Sequence, residues 1–203
     1  MPLPISKLQA FECIRWMKDN FSDEMKKATN TTPFAIDILC GIACQETAYV
    51  WMSWISKKTP EEILGLCVFD ASGDFPGTKR SAFPKNTAAF QEKYGNDLSN
   101  LLISEANRSR KQRGLGAAPW VYKGYGIYQY DLQNIEIDKS FFLQKKWYSY
   151  DECLKKVMSE LMEKWDCYKD MYKTIKAYNG NGPAAENYAN NVMIFISYSK
   201  EVV

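Results

Sequence analysis

The chain has 203 residues, 46% of them hydrophobic, which is enough to bury a sizeable core as one domain. Its 26 basic and 24 acidic residues leave a formal charge of +2, so it lacks the basic field that nucleic-acid binding requires, and we expect no nucleic-acid partner. The sequence contains no histidine, which excludes imidazole catalysis and histidine metal ligands and leaves carboxylate, tyrosine, lysine or cysteine chemistry.

Helical patterns account for the beginning of the chain. Ser6 and Gln9 fit a capping box, which predicts a first helix to about Asn20. Pro33 follows two threonines, the usual chemistry of a helix start, and predicts a second helix over residues 33–56.

The middle of the chain combines helices with irregular segments. Thr59-Pro60 predicts the start of a short helix that Gly65 can end. Residues 70–86 are dense in Gly, Pro, Ser and Asp, which predicts a long loop and a candidate lid or groove wall. Helical patterning resumes over residues 86–94 and 97–112 and ends in a basic cluster, which is either a solvated helix end or a contact for an acidic polymer.

The last third begins with an aromatic, glycine-rich stretch. Residues 118–134 alternate in a way that predicts a short hairpin or an irregular wall. Ser149 begins, through a second capping box, a helix that continues to Tyr168. Pro183 begins a final helix with Tyr188 on its apolar side.

The cysteines give no indication of a metal site, and the sequence shows no targeting signal. The six cysteines form no CxxC pair, so we expect no structural metal, and most of them are predicted to be small buried hydrophobes. The stretch MPLPISKLQAFECIRWMKDN lacks the features of a signal peptide, which predicts synthesis in the cytoplasm without export by the general route. No apolar run approaches the roughly 18 residues that a membrane span requires.

Glu46 is the residue that the helical pattern does not explain. At helical spacing it shares a stripe with Leu39 and Ile42. Desolvation disfavours a charged carboxylate there, so we expect Glu46 to hold its proton near neutral pH and to act as a general acid, a task that glycoside cleavage needs. The alternative is that Glu46 emerges at the edge of the stripe and pairs with a lysine or arginine.

Three segments, GIACQETA, GYGIYQYD and AYNGNGPAAENYANNV, occur in this order. Together they resemble the lysozyme-like superfamily of lytic transglycosylases and goose-type lysozymes, in which the first segment supplies the catalytic glutamate, here Glu46. The second resembles the family's Gly-Leu-Met-Gln segment and the third its Ala-Tyr-Asn-x-Gly segment. Thr47 replaces the usual serine, Tyr128 replaces methionine, and Gln129 follows Glu46 at a longer interval than in the compact goose-type pattern.

The resemblance implies a mostly α, lysozyme-like single domain over residues 1–203, with residues 67–118 as an insertion. It also suggests Asp131 as the second carboxylate, because an aspartate follows the glutamine by two positions in goose-type lysozymes. Asp70 and Asp74 are rivals, and each of the three is otherwise a capping or turn residue. If none of them reaches the site, Glu46 acts as acid and then as base while the sugar's own hydroxyl attacks.

Sugar recognition needs amides for hydroxyl groups and flat rings for pyranose faces. Core packing is the alternative for each aromatic residue. The residues expected to bind substrate are Thr47, Tyr125, Tyr128, Gln129, Tyr178 and Asn179.

The resemblance therefore implies a cofactor-free muramidase, a lysozyme or lytic transglycosylase that cleaves the MurNAc-GlcNAc β-1,4 linkage of peptidoglycan. A chitinase- or chitosanase-type hydrolase and a catalytically inactive glycan-binding protein are the alternatives. The expected partners are peptidoglycan glycan strands. Such an enzyme, made in the cytoplasm without a signal peptide, is expected to act in the periplasm or cell wall after non-classical delivery. As an antibacterial toxin or phage endolysin, it would have delivery machinery and an immunity protein as further partners.

Overall fold

The computed structural model describes residues 2–202, which are 67% helix and 5% strand. This confirms the predicted mostly α fold with a small β-hairpin. The chain groups into two compact units, the first comprising the residues up to Lys58 and from Leu154 onward, the second Thr59–Cys153. The predicted insertion, residues 67–118, lies wholly in the second unit. Among the residues described, none of the helices is both long and apolar enough to cross a membrane.

The regular elements follow one another with short connections, apart from the segment between the first strand and the fifth helix. In chain order the helices are α1 (Lys7–Thr29), α2 (Ile36–Glu46), α3 (Ala48–Trp51), α4 (Pro60–Leu66), α5 (Thr87–Gln112), α6 (Lys139–Leu143), α7 (Tyr150–Tyr168), α8 (Met171–Tyr178) and α9 (Gly182–Glu201). The strands are β1 (Val68–Ala71), β2 (Tyr122–Tyr125) and β3 (Tyr130–Asp131). Short 3-10 helices occupy Met52–Trp54, Leu132–Glu136 and Lys146–Tyr148.

Helix α1 begins as predicted but is longer. The Ser6 hydroxyl accepts from the Gln9 backbone N–H and the Gln9 side chain accepts from the Ser6 N–H, which completes the capping box. The predicted end at about Asn20 is wrong, because Phe21 and Met25 continue the buried stripe and the helix gains packing by running on to Thr29.

The second predicted helix is wrong in its bounds, because it begins at Ile36 and is interrupted at Thr47, where φ is −140° and ψ is −15°. The Thr47 hydroxyl lies 3.4 Å from the Ala43 carbonyl oxygen, to which it donates, and it accepts a 2.8 Å hydrogen bond from the Trp51 indole N–H. These local bonds hold the break between α2 and α3. Glu46 is therefore the last residue of α2 instead of a mid-helix residue.

Helix α9 packs against α2 in the first unit at a position that has no room for a side chain. A Cβ on Gly41 would lie 3.0 Å from Ile196 Cγ1 and 3.1 Å from the Val192 carbonyl oxygen. The second of these atoms belongs to the backbone of α9, so it cannot rotate away. Gly41 therefore permits the close approach of α2 and α9.

The second unit contains a three-stranded antiparallel sheet in the order β1-β2-β3. The turn between β2 and β3 needs glycine at Gly126, where φ is +78° and a Cβ would lie 2.6 Å from Cys153 Sγ. The Tyr125 ring packs on Phe142 and Trp147, at centroid separations of 5.2 and 4.8 Å. The sheet therefore covers an aromatic core.

Helix α5 contains the break that the sequence predicted between residues 94 and 97, since Gly95 has φ of +78° and ψ of +175°. Beyond the break the helix buries Glu105, which is 2% exposed. Its carboxylate is 2.6 Å from Lys145 Nζ and 3.0 Å from Arg108 Nη1. Arg108, from the predicted basic cluster, therefore compensates a buried charge instead of contacting a polymer.

The cysteines are free, and all six lie in the described part of the chain. Five of them are buried, as predicted, and Cys167 is exposed. Burial raises the pKa of Cys13, Cys40 and Cys153 to about 12. Their thiolate forms are therefore scarce near neutral pH, which makes these thiols unreactive.

We predict that Ellman's reagent at mildly alkaline pH modifies one thiol per native chain, at Cys167, and six after denaturation in guanidinium. The buried thiols are protected by both their raised pKa and the surrounding side chains. A Cys167→Ser variant serves as the control and should give no rapid reaction in the native state. Fast reaction of a second thiol in the native protein would contradict the burial of the other five.

We predict that Gly41→Val lowers the free energy of unfolding by about 2 kcal/mol or more, because the added side chain forces α2 and α9 apart. Urea unfolding followed by circular dichroism measures the change. The matched control is Gly116→Val, since a Cβ at Gly116 meets nothing within 4 Å. Equal stability of the two variants would contradict the close packing at Gly41.

Candidate active site

Glu46 lies at the carboxyl-terminal end of α2 and is partly buried. Its Oε1 accepts a 2.6 Å hydrogen bond from the Tyr188 hydroxyl on α9. Tyr188 itself is 6% exposed. Glu46 is therefore a partly buried carboxyl group that has a neutral phenol as one of its partners.

Tyr188 is suited to be a permanent donor. Burial first, and then the negative charge of Glu46, raise the pKa of the Tyr188 hydroxyl well above its ordinary value. The phenol therefore keeps its proton throughout the range in which Glu46 could titrate. The hydrogen bond to Oε1 therefore orients the Glu46 carboxyl group.

A second tyrosine supports this pair. The ring of Tyr178, the last residue of α8, stacks on Tyr188 at a centroid separation of 6.3 Å and an interplanar angle of 28°. Tyr178, predicted as a site residue, therefore does lie beside the Glu46 partner. Asn179 ends α8 and is exposed, so its side-chain amide is accessible in the same unit.

Two residues of this site were not among those predicted from the sequence. Tyr188 was placed on the apolar stripe of the last helix, and its match to the family pattern was the one signal for a role in the site. Glu160 on α7 also contributes, after burial, Glu46 and Tyr178, to the raised pKa of Tyr188. No spacing pattern in the sequence connects Glu160 to Glu46.

Thr47 does not have the substrate-binding position that was predicted. The residue is 0% exposed, and its hydroxyl accepts the hydrogen bond from the Trp51 indole. A sugar cannot reach this hydroxyl without opening the break between α2 and α3. Its physical role is to fix the backbone directly after Glu46.

Gln129 was predicted to present its amide to sugar hydroxyls, and the structure places that amide against the hairpin backbone. Its Nε2 donates to the carbonyl oxygens of Gly126 at 2.8 Å and Cys67 at 3.3 Å. The residue has φ of +55°, a left-handed conformation that closes the turn before β3. Gln129 is therefore a turn-stabilising residue.

Tyr125 and Tyr128 were predicted to offer flat faces for pyranose rings, but they are 1% and 2% exposed. The Tyr125 ring is enclosed by the aromatic core, and the Tyr128 hydroxyl is 2.6 Å from that of Tyr150. Neither ring has a face open to a ligand. Both residues therefore pack in the core, which was the alternative to sugar binding.

Asp131, the first candidate for the second carboxylate, has a capping role. Its Oδ1 accepts a 2.7 Å hydrogen bond from the Gln133 backbone N–H at the start of the 3-10 helix after β3. The same oxygen lies 2.5 Å from Arg80 Nη2 in an ion pair. These contacts occupy the carboxylate in the way that the turn alternative anticipated.

Asp70 and Asp74, the other two candidates for the second carboxylate, have different surroundings. Asp74 accepts hydrogen bonds from the Thr87 backbone N–H, at 3.0 and 3.1 Å, and from the Thr87 hydroxyl, at 2.8 Å. Asp70 has a side chain that is 64% exposed, lies 3.7 Å from Lys123 Nζ, and has φ of +63°. Asp74 therefore ties the irregular segment to the start of α5, and Asp70 is an exposed turn residue.

The comparisons with known proteins give no relative. No protein-family model matches the chain, and no curated protein or solved structure matches it either. Residues 2–202 also contain no group of three or more Cys, Asp or Glu side chains that could hold a metal ion. The features that remain informative about function are the geometry around Glu46 and the three short sequence segments.

We predict that Asp74→Ala loosens the segment over residues 72–86, because three hydrogen bonds to Thr87 are lost. The expected result is faster limited proteolysis within that segment and a free energy of unfolding lower by about 1–2 kcal/mol. Asp97→Ala, an exposed aspartate on α5, is the matched control and should behave as the native chain does. Unchanged proteolysis in Asp74→Ala would refute the tethering role.

Proposed function

We propose that the protein is a muramidase that cleaves the β-1,4 glycan backbone of peptidoglycan, with Glu46 as the general acid and base. The observation that carries the proposal is the 2.6 Å hydrogen bond from Tyr188 to Glu46 at the end of α2. It orients the carboxyl group of a partly buried glutamate through one of its oxygens. The order of the three sequence segments supports the same assignment.

In this mechanism the proton of Glu46 passes to the glycosidic oxygen while the bond from that oxygen to the anomeric carbon breaks. The sugar then carries oxocarbenium character at the anomeric carbon. An attacking hydroxyl loses its proton to Glu46 as it forms the new bond, which restores the acid for the next cycle.

The contacts of the candidate aspartates bear on which hydroxyl attacks. Asp131 and Asp74 are engaged in capping and tethering contacts. Neither aspartate is therefore available as a second carboxylate, and we expect attack by the sugar's own hydroxyl and the anhydro product of a lytic transglycosylase. Tyr188 is a positioning residue in this scheme, since it acts on the substrate only through Glu46.

We predict that Glu46→Gln lowers turnover at least a hundredfold, because glutamine cannot deliver a proton to the glycosidic oxygen. Loss of turbidity of purified cell walls measures the rate. Mass spectrometry of the released fragments distinguishes anhydro ends from reducing ends, which differ by one water. Glu12→Gln, an exposed glutamate on α1, is the matched control and should retain full activity.

Two results would contradict this proposal. One is a Glu46→Gln variant that is folded and fully active, which would place the acid elsewhere. The other is a native protein that releases no glycan fragments from cell walls, which would favour the inactive glycan-binding alternative.

We predict that Tyr188→Phe lowers kcat by roughly tenfold and leaves KM nearly unchanged, because the variant loses one hydrogen bond to the acid and no contact to the substrate. Steady-state kinetics on soluble glycan strands separates the two constants. Tyr198→Phe, on the same helix, is the control. A rise in KM at constant kcat would show that Tyr188 binds substrate instead of positioning Glu46.

A further inference from the structure

The second unit contains a cavity of about 720 Å³ that the proposed mechanism does not use. It is bounded by residues 70–82, by the carboxyl-terminal end of α5 and by residues 120–123. Its volume falls within the usual range for small-molecule sites. The basic residues that line it are Lys79, Arg80, Arg110, Arg113 and Lys123.

Most of this positive charge has no compensating carboxylate. Arg80 pairs with Asp131 at 2.5 Å, and Lys123 lies 3.7 Å from Asp70, the one acidic residue that lines the cavity. The other three cations, Lys79, Arg110 and Arg113, have no ion pair with any acidic residue in the described range 2–202. These three unpaired cations exceed the formal net charge of the whole chain, which is +2. Positive charge is therefore concentrated in the cavity.

Arg110 and Arg113 are held in place by neutral contacts instead of by acids. Arg110 donates from Nε to the Gly116 carbonyl oxygen at 2.6 Å and from Nη1 to the Tyr122 hydroxyl at 2.8 Å. Its guanidinium lies 5.5 Å from the Trp120 ring centroid, and that of Arg113 lies 5.2 Å from the Phe69 centroid. Such contacts orient a guanidinium without neutralising it, which suits it to bind a planar anion from solution.

We propose that this cavity binds the carboxylates of the stem peptides that peptidoglycan carries, an inference that rests on the proposed muramidase function. The cations come from three separate segments that meet around the cavity, so they offer more than one anchoring point to a ligand with several carboxylates. Arginine forks match carboxylates in a bidentate manner. Phe75, Leu115 and Trp120 add apolar wall for the short aliphatic side chains between those carboxylates.

This assignment also gives a physical basis for choosing between glycans. Chitin has the same type of glycosidic linkage but carries no anionic group, so it gains nothing from the cavity. A peptide-bearing strand gains electrostatic attraction and, through several carboxylates on one ligand, more than a single ion would. The cavity therefore favours peptidoglycan over chitin at the level of binding.

The test is isothermal titration calorimetry of the native protein with the GlcNAc-MurNAc tetrapeptide, which lacks the MurNAc-GlcNAc linkage and so is not cleaved. The matched ligands are the same fragment with its carboxylates amidated, chitotetraose, and sodium tripolyphosphate. We expect the acidic fragment to bind most tightly and the amidated fragment and chitotetraose roughly tenfold or more weakly.

The paired variants are Lys79→Glu/Arg113→Glu in the cavity and Lys26→Glu/Lys27→Glu on the exposed end of α1, which carry the same change in net charge. The cavity pair should weaken binding of the acidic fragment by roughly tenfold. The α1 pair should leave it unchanged. Circular dichroism checks that both variants fold.

Three outcomes would overturn the assignment: equal binding of the acidic and amidated fragments, equal weakening by both variant pairs, or tighter binding of tripolyphosphate, which would identify a phosphate site. Cell-wall cleavage by the native protein is measured in parallel. Cleavage without carboxylate-dependent binding refutes the cavity assignment alone, whereas carboxylate-dependent binding without cleavage refutes the muramidase proposal.

Discussion

The hydrogen bond between Tyr188 and Glu46 links two residues that are 142 positions apart, and it exists only because α9 packs closely on α2. That closeness depends on the missing side chain at Gly41. The break at Thr47 then ends α2 directly after the glutamate. The position of the Glu46 carboxyl group thus depends on Gly41, on the break at Thr47 and on the Tyr188 phenol. The proposed chemistry depends on that position.

Local signals in the sequence predicted the secondary structure well where the stabilising contacts are themselves local. The capping boxes at Ser6 and Thr59 start helices as expected, since every partner lies within three residues. The break at Thr47 was missed because apolar periodicity continues across it, and the backbone change is made by a threonine hydroxyl that periodicity does not register. The continuation of α1 past Asn20 was missed because tertiary burial of Phe21 and Met25 sets its length.

The candidate site was harder to predict, because the same residue types, tyrosine above all, occur both in hydrophobic cores and in binding sites. Glu46 was identifiable, since a carboxylate among apolar residues needs an explanation. Tyr188 lies on the same stripe as the buried Val192, so the pattern alone assigns it to packing. Tyr125 and Gln129 show the reverse error, because alternation along a hairpin does not reveal which side chains the aromatic core and the turn will take.

The Tyr188 phenol contacts Glu46 without carrying a formal charge, whereas the basic cavity would hold its ligand mainly through charge. Dissolved ions screen exposed charges over about 10 Å at 0.1 M ionic strength, but they barely alter a neutral, buried donor. Salinity therefore acts on the two places unequally. High ionic strength would weaken binding of the wall polymer to the cavity and would leave the Tyr188–Glu46 hydrogen bond intact. The salt content of the habitat would therefore govern attachment more than bond breaking.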